Sequence, residues 1–214
     1  MAVVGKAYGL FIKSLVNKEM NINTDTLKVM LCTSQYVPDQ NAHQYKSSVT
    51  NELSVVTGTL SAASTAAATT LSSSVSIPVG NVIAIDSAAN LETRVVTAVT
   101  GAGPFTLTVS ALTLAHASGV AVAANPGYTT TGIALTGVTT AYATKTVSIA
   151  AANVTFGATT TMTARFAVIY DSSPTTDATR GLIAWEDFGV DVSSSAGPFG
   201  ITWDTTGIVT LAVA

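Results

Sequence analysis

Charge is scarce in this chain. Of 214 residues only 10% are Asp, Glu, Lys or Arg, against ~25% in an average soluble domain. Nine Lys and Arg stand against twelve Asp and Glu, for a net charge of -3. The basic residues are scattered along the chain and leave no footprint for the phosphates of a nucleic acid. Cysteine occurs once, at Cys32, which excludes an intrachain disulfide and a cysteine-built metal site. In its predicted strand Cys32 reads as a small buried hydrophobe. There are two histidines, His43 and His116. Neither stands at helix spacing from a second ligand or a candidate nucleophile, and both read as solvated loop residues, His116 in a turn. Hydrophobic residues make up 48% of the chain, yet no apolar run reaches the ~20 residues of a membrane-spanning helix. No membrane insertion is expected. Lys6 and Lys13 flank a short apolar stretch that lacks a signal-peptide core, so synthesis in a cytosol is expected.

What fills the space left by charge is Thr, Ser, Ala and Val, residues that suit pleated sheets and their turns. At Ser54 the chain changes texture. The mixed composition before it gives way to small uncharged residues, and returns only near Asn125-Pro126-Gly127-Tyr128. Within this stretch five runs read as strands: TTLSSSVSIP, NVIAID, ETRVVTAVT, FTLTVSAL and GVAVA. Turn signals such as DSAAN, TGAGP and HASG separate them. Alternation of apolar positions in RVVTAVT and FTLTVSAL has no place in a disordered linker. The expected division is a discontinuous β-sandwich of residues 1–58 and 126–214 and an inserted small β domain at 59–125. Residues 54–68 read as a flexible Ala/Ser/Thr-rich connector and 69–124 as five strands. Insertion into a surface loop is cheap because closure entropy grows only as the logarithm of length, and it requires both ends of the insert to lie close together.

The flanking segments carry the other elements. In KAYGLFIKSLVNK, residues 6–18, Tyr8, Phe11, Ile12 and Leu15 fall on one face of an amphipathic helix. Asn21–Asp25 reads as a turn, Thr26–Thr33 as a strand and Asp39–Lys46 as a short helix. Later strands are expected at Ala141–Ile149, Asn153–Phe156, Thr161–Tyr170, Leu182–Phe188, Gly200–Trp203 and Ile208–Val213. The near-continuous apolar run ARFAVIY predicts cover on both faces, and TKTVSIA a half-exposed strand. The fold class is mainly β: an antiparallel β-sandwich with an N-terminal helix, interrupted by an inserted five-stranded all-β domain.

Signs of catalysis are weak. The many serines and threonines accompany no GxSxG elbow or SxxK pair, and no glycine-rich phosphate cradle is present. Glu186, Asp187, Asp191 and Asp204 lack the alternating register of a Ca²⁺-wrapping loop and read as strand-edge carboxylates. An enzyme would need a cluster hidden in the linear sequence, for example Asp187 meeting His43. No cofactor or metal is expected. Trp185 and Trp203 are candidate sugar platforms, although each stands among apolar neighbours as a core residue does.

Beyond composition, the chain without its insert resembles a family of small virion structural proteins of tailed bacteriophages. The likeness is carried by YGLFIKSLVNKEMNINTDTLKVMLCTSQYVPDQNAHQYKSSVTNEL, NVTFGATTTMTARFAVIYDSS, GLIAWEDFG and FGITWDTTGIVTLAVA. In shorter members of that family the TNE segment is followed almost at once by the GY segment. Here Thr50-Asn51-Glu52 and Gly127-Tyr128 are separated by the insert. The insert itself resembles a small β module of phage and bacterial surface proteins, through VGNVIAID, NLETRVVTAV and LTLAHASGVAV. The resemblance implies a non-enzymatic capsid decoration or minor capsid protein on the head exterior. Its implied partners are the major capsid protein and further copies of itself, with host surface glycans as a target for the insert. The alternatives are a tail or fibre component and a carbohydrate-binding surface module. Tyr8, Phe11, Ile12, Leu15, Trp185 and Trp203 are the candidate partner-binding residues. The helix face has an equal claim to capping its own sandwich.

Overall fold

Strands rich in Thr, Val, Ile and Phe dominate the chain, and the computed structural model, which describes residues 2, 3 and 5–212, is mainly β with one short N-terminal α-helix. The first elements are β1 (Ala2–Val3), β2 (Lys6–Ala7), α1 (Gly9–Val16) and β3 (Leu27–Cys32). The stretch with altered texture contains β4 (Thr57–Thr59), β5 (Thr70–Ser73), β6 (Val82–Ile85), β7 (Glu92–Val95), β8 (Ala98–Thr100), β9 (Phe105–Thr108) and β10 (Ala121–Ala124). After it come β11 (Ile133–Ala134), β12 (Thr139–Ala143), β13 (Thr146–Ala150), β14 (Val154–Asp171), β15 (Leu182–Trp203) and β16 (Val209–Ala212). The expected end of the last strand at Val213 lies outside the described residues.

The larger body is sandwich-like. One sheet runs β1-β15-β14-β3-β11, with β2 also on β15, and a second runs β12-β13-β16. Its spine is the hairpin of β14 and β15, into which four separately predicted strands merge. They merge because the separators act as bulges and leave the ladder in place. Gly157 and Gly189 sit at two register shifts with φ of 61° and 79°, where an extra residue bends a strand. Leu27, Val29, Met30, Leu31 and Cys32 of β3 are all buried, as a central strand covered on both faces requires.

Two expectations in this body change. The helix begins at Gly9 because Lys6 and Ala7 are drawn into the sheet opposite Trp185 and Ala184. No α-helix forms over 39–46. There the Asp39 carboxylate accepts the N–H groups of Asn41 and Ala42, the side-chain turn that competes with helix formation. Next along the chain, the Lys46 and Ser47 N–H groups are taken by the carbonyls of Arg180 and Asp177.

Residues 57–124 form two further sheets, β4-β10-β6-β7 and β5-β9-β8. Their apolar side chains, among them Leu60, Leu71, Ile77, Ile83, Ile85, Leu107 and Val122, make one buried cluster. It shares no residue with the cluster that fills the larger body. The run ETRVVTAVT divides into two strands at Val96-Thr97, and a strand lies inside the expected connector. That connector is ordered: β4 pairs with β10, Leu60 is buried, and Ser64 and His116 exchange backbone hydrogen bonds. The two chain crossings meet at a neck. Asn125 Nδ2 donates to Ser54 O at 3.0 Å and to Asn81 Oδ1 at 2.6 Å, and Ser54 N–H donates to Asn81 Oδ1 at 2.8 Å.

Candidate docking face

Four of the six residues read as partner-binding are committed to the protein's own core. Tyr8 is 0% exposed; its ring lies 4.7 Å from that of Trp185, and its hydroxyl is 2.6 Å from that of Tyr36. Phe11 and Trp203 are likewise buried, and the Trp203 indole N–H donates to Ala152 O at 3.0 Å. With both indoles enclosed, neither Trp185 nor Trp203 offers a ring face for a sugar to stack on. Leu15 is half-buried against the same core. Ile12, 44% exposed, is the member of the set that stays largely open. Helix α1 therefore caps its own sandwich, because the Tyr8–Phe11 side of the apolar face is the side turned inward.

The second sheet carries part of the exposed apolar surface, through Tyr142. Cross-strand partners share a face of a sheet, and the pairing aligns Thr140, Ile149 and Val209 in one row and Tyr142, Val147 and Leu211 in the next. Rows two residues apart lie on the same face. In the first row Ile149 and Val209 are buried. In the second, Val147 and Leu211 are half-buried and Tyr142 is 69% exposed. The core face thus runs outward past the edge of the body. Beside it is a groove of about 730 Å³ lined by Gly5, Lys6, Ala7, Ile12, Gln40, Val147, Thr210, Leu211 and Ala212. Ile12, Val147 and Leu211 give it an apolar margin, and Tyr142 continues the row beside Val147.

Sequence reading missed this face because it merged β12 and β13 into a single strand. The hairpin turns on Thr144-Lys145, both at positive φ, without the Asn-Gly or Asp-Gly dipeptide that marks such a turn. The signal present was the polar Thr-Lys-Thr interrupting two alternating runs.

The polar clusters lie elsewhere. His43 accepts hydrogen bonds on Nδ1 from the Tyr36 hydroxyl at 3.1 Å and the Asp39 N–H at 3.3 Å. His116 is 2% exposed, not a solvated turn residue. Its Nε2 is 2.9 Å from Glu92 Oε2 and its Nδ1 is 3.5 Å from Asp86 Oδ2. Burial opposes ionisation of Glu92. Hydrogen bonds from the Thr113 N–H and hydroxyl, His116 and the Leu114 N–H outweigh it and hold the carboxyl at about 2; Arg94 pairs with the same carboxylate. The expected strand-edge acids also part ways. Asp187 pairs with Arg165 and does not bond to His43. Asp204 accepts from Thr206. Glu186 is buried with Oε2 unpartnered, and burial together with the neighbouring Asp187 charge pushes its carboxyl up to about 7. Among the described residues no three His, Cys, Asp or Glu converge on a metal position.

A second cleft, about 380 Å³, lies between the insert and the bend of the long hairpin. Thr161, Thr163, Ser193, Ser194 and Ser195 line one wall and Val82, Thr93, Arg94, Val95 and Thr97 the other, and the surface they present is mostly apolar. Compared with protein families, with curated proteins and with solved structures, the chain matches none of them.

Proposed function

We propose that this chain is a non-enzymatic structural protein of a tailed-bacteriophage virion. In this reading it is a capsid decoration or minor capsid protein that seats its apolar face on the major capsid protein at the head exterior. The observation that supports docking is the continuation of the Ile149–Val209 core row into the Tyr142–Val147–Leu211 row, which is half-buried at Val147 and Leu211 and open at Tyr142. Covering that row and Ile12 would contribute on the order of 3 kcal/mol from apolar area alone. Gly5, Ala7, Thr210 and Ala212 beside it have few rotamers to lose, which leaves Lys6 and Gln40 as the long side chains to be ordered in a repeated lattice contact. The phage and head assignments rest on the segment resemblance described above. Insert loops then stand free to meet host glycans.

The test is an electron-microscopy reconstruction of the virion that carries this protein, with its copy number. Many copies over the head shell are expected. Copies confined to the tail would replace this reading with that of a tail or fibre component, and absence from purified particles would overturn both. Within assembled particles, Tyr142→Asp and Leu211→Asp should reduce occupancy, while the distant exposed change Leu91→Asp should not.

A further inference from the structure

The edge of the second sheet is left open in a way that fits one partner. Strand β12 pairs with β13 on one side and, among the described residues, has no backbone partner on the other; the Thr140 hydroxyl donates to Asn23 Oδ1 at 3.3 Å. All five of its residues, Thr139 to Ala143, are exposed. In a hairpin closed by two residues the flanking pair, here Ala143 and Thr146, is hydrogen-bonded, and the pattern alternates from there. The N–H and C=O groups of Thr140 and Tyr142 consequently point away from β13. Open edges are ordinarily blunted by Lys, Pro, a bulge or an inward charge. TTAYA carries none of these.

We propose that β12 pairs antiparallel with β12 of a second copy about a two-fold axis through Ala141, giving a continuous six-stranded sheet. The register is set by self-complementarity. Centred on Ala141, Thr140 of each copy faces Tyr142 of the other, and these are the residues whose backbone groups point outward. Each such pair exchanges two hydrogen bonds, and the axis makes the pair occur twice. Charge permits the same register. Lys145, the nearest charged residue, falls opposite Gly137 of the other copy, so no like charges oppose one another across the seam. The axis stands perpendicular to the sheet, so the Tyr142 faces of both copies point the same way and the apolar margin doubles. The pairing does not depend on the virion reading.

Because Ala141 meets itself at the axis and lies on the face opposite Tyr142, it separates pairing from docking. Sedimentation velocity over a concentration series should show a monomer–dimer equilibrium for the full chain. At low salt Ala141→Lys and Ala141→Asp should each weaken self-association roughly tenfold, and an equimolar mixture of the two should restore it as a heterodimer. Ala141→Cys should oxidise to an interchain disulfide, since the Cα atoms of a non-hydrogen-bonded pair lie ~4.5 Å apart and Cys32 is buried. A chain that stays monomeric at its solubility limit would overturn the proposal. So would a dimer unaffected by both charged variants, or a mixture that fails to re-associate. Circular dichroism of each variant checks folding, which an exposed edge position should leave intact.

Discussion

The larger body and the insert solve the same problem, a sheet-built core with little charge, by different chemistry. In the body, Tyr8, Tyr36, Tyr128, Phe156, Phe199 and Trp185 pack ring on ring. Its buried Glu186 keeps an oxygen with no partner. The insert core is aliphatic, and its buried acid, Glu92, is surrounded by donors. The body carries its aromatic area on long strands such as β14 and β15. The insert's four-residue strands of Ala, Thr and Val bury little and gain from a carboxylate that collects several donors, even with His116 Nδ1 left without a hydrogen bond. The body tolerates a misplaced charge; the insert is held together by one that is well placed.

The sharpest way to break this comparison is to separate the two. Replacing residues 59–124 by a short bridge removes no member of the body's cluster, and the retained Ser54 and Asn125 are hydrogen-bonded to each other close to the cut. The remaining protein should stay soluble and melt cooperatively, and calorimetry of the full chain should show a transition that the shortened chain lacks. A shortened chain that collapses would mean that the two cores are one unit.

Next in size is the loss of the lock. Glu92→Ala leaves His116, Arg94 and the Thr113 and Leu114 N–H groups without their acceptor and should cost about 3–5 kcal/mol, confined to the insert transition. In the wild type the Glu92 carboxyl falls from 4.5 unfolded to about 2 folded. Its contribution is therefore complete above pH 4.5 and is lost as pH falls from there through 2. Melting of the insert should weaken over that interval in wild type, and Glu92→Ala should not show the drop.

Glu186 acts with the opposite sign. Its carboxyl rises from 4.5 to about 7 on folding, so stability is complete below 4.5 and is lost as pH rises through 7. Glu186→Gln, which stays neutral, should stabilise the body by roughly 3 kcal/mol at pH 8 and by nothing at pH 4. Surface acids of the body such as Asp39, Asp187 and Asp204 are lowered and act the other way. The difference between variant and wild type is thus the quantity to measure by thermal melts. An equal gain at both pH values would mean that Gln packs better and that charge is not the cause.

Legibility from the sequence follows the same division. The β character, the strands after Asn153 and the change of texture at Ser54 were readable because alternation of apolar side chains is a local property. What depended on backbone pairing was not. Residues 54–68 look like a linker because Ala, Ser and Thr say nothing about which carbonyl will meet which N–H, and the few larger apolar residues, Val55, Val56 and Leu60, show no alternation. His116 looked solvated because Glu92, its partner, lies 24 positions away. Trp185 and Trp203 were correctly suspected of being core residues from their apolar neighbours. The docking margin was hidden by a hairpin turn without glycine or asparagine.

The smallest expected effect on stability concerns that margin, and it tests whether the face is surplus to the fold. Ile149 and Tyr142 lie on one sheet face in neighbouring rows, yet Ile149 is buried and Tyr142 open. If the face serves only the protein's own core, both should matter to folding. If it is held ready for a partner, Ile149→Ala should cost about 2–4 kcal/mol while Tyr142→Asp changes stability by no more than ~0.5 kcal/mol. Denaturant melts of the two variants decide between these. A large loss for Tyr142→Asp would place the ring inside the fold's own energetics and leave Ile12 as the remaining exposed anchor for docking.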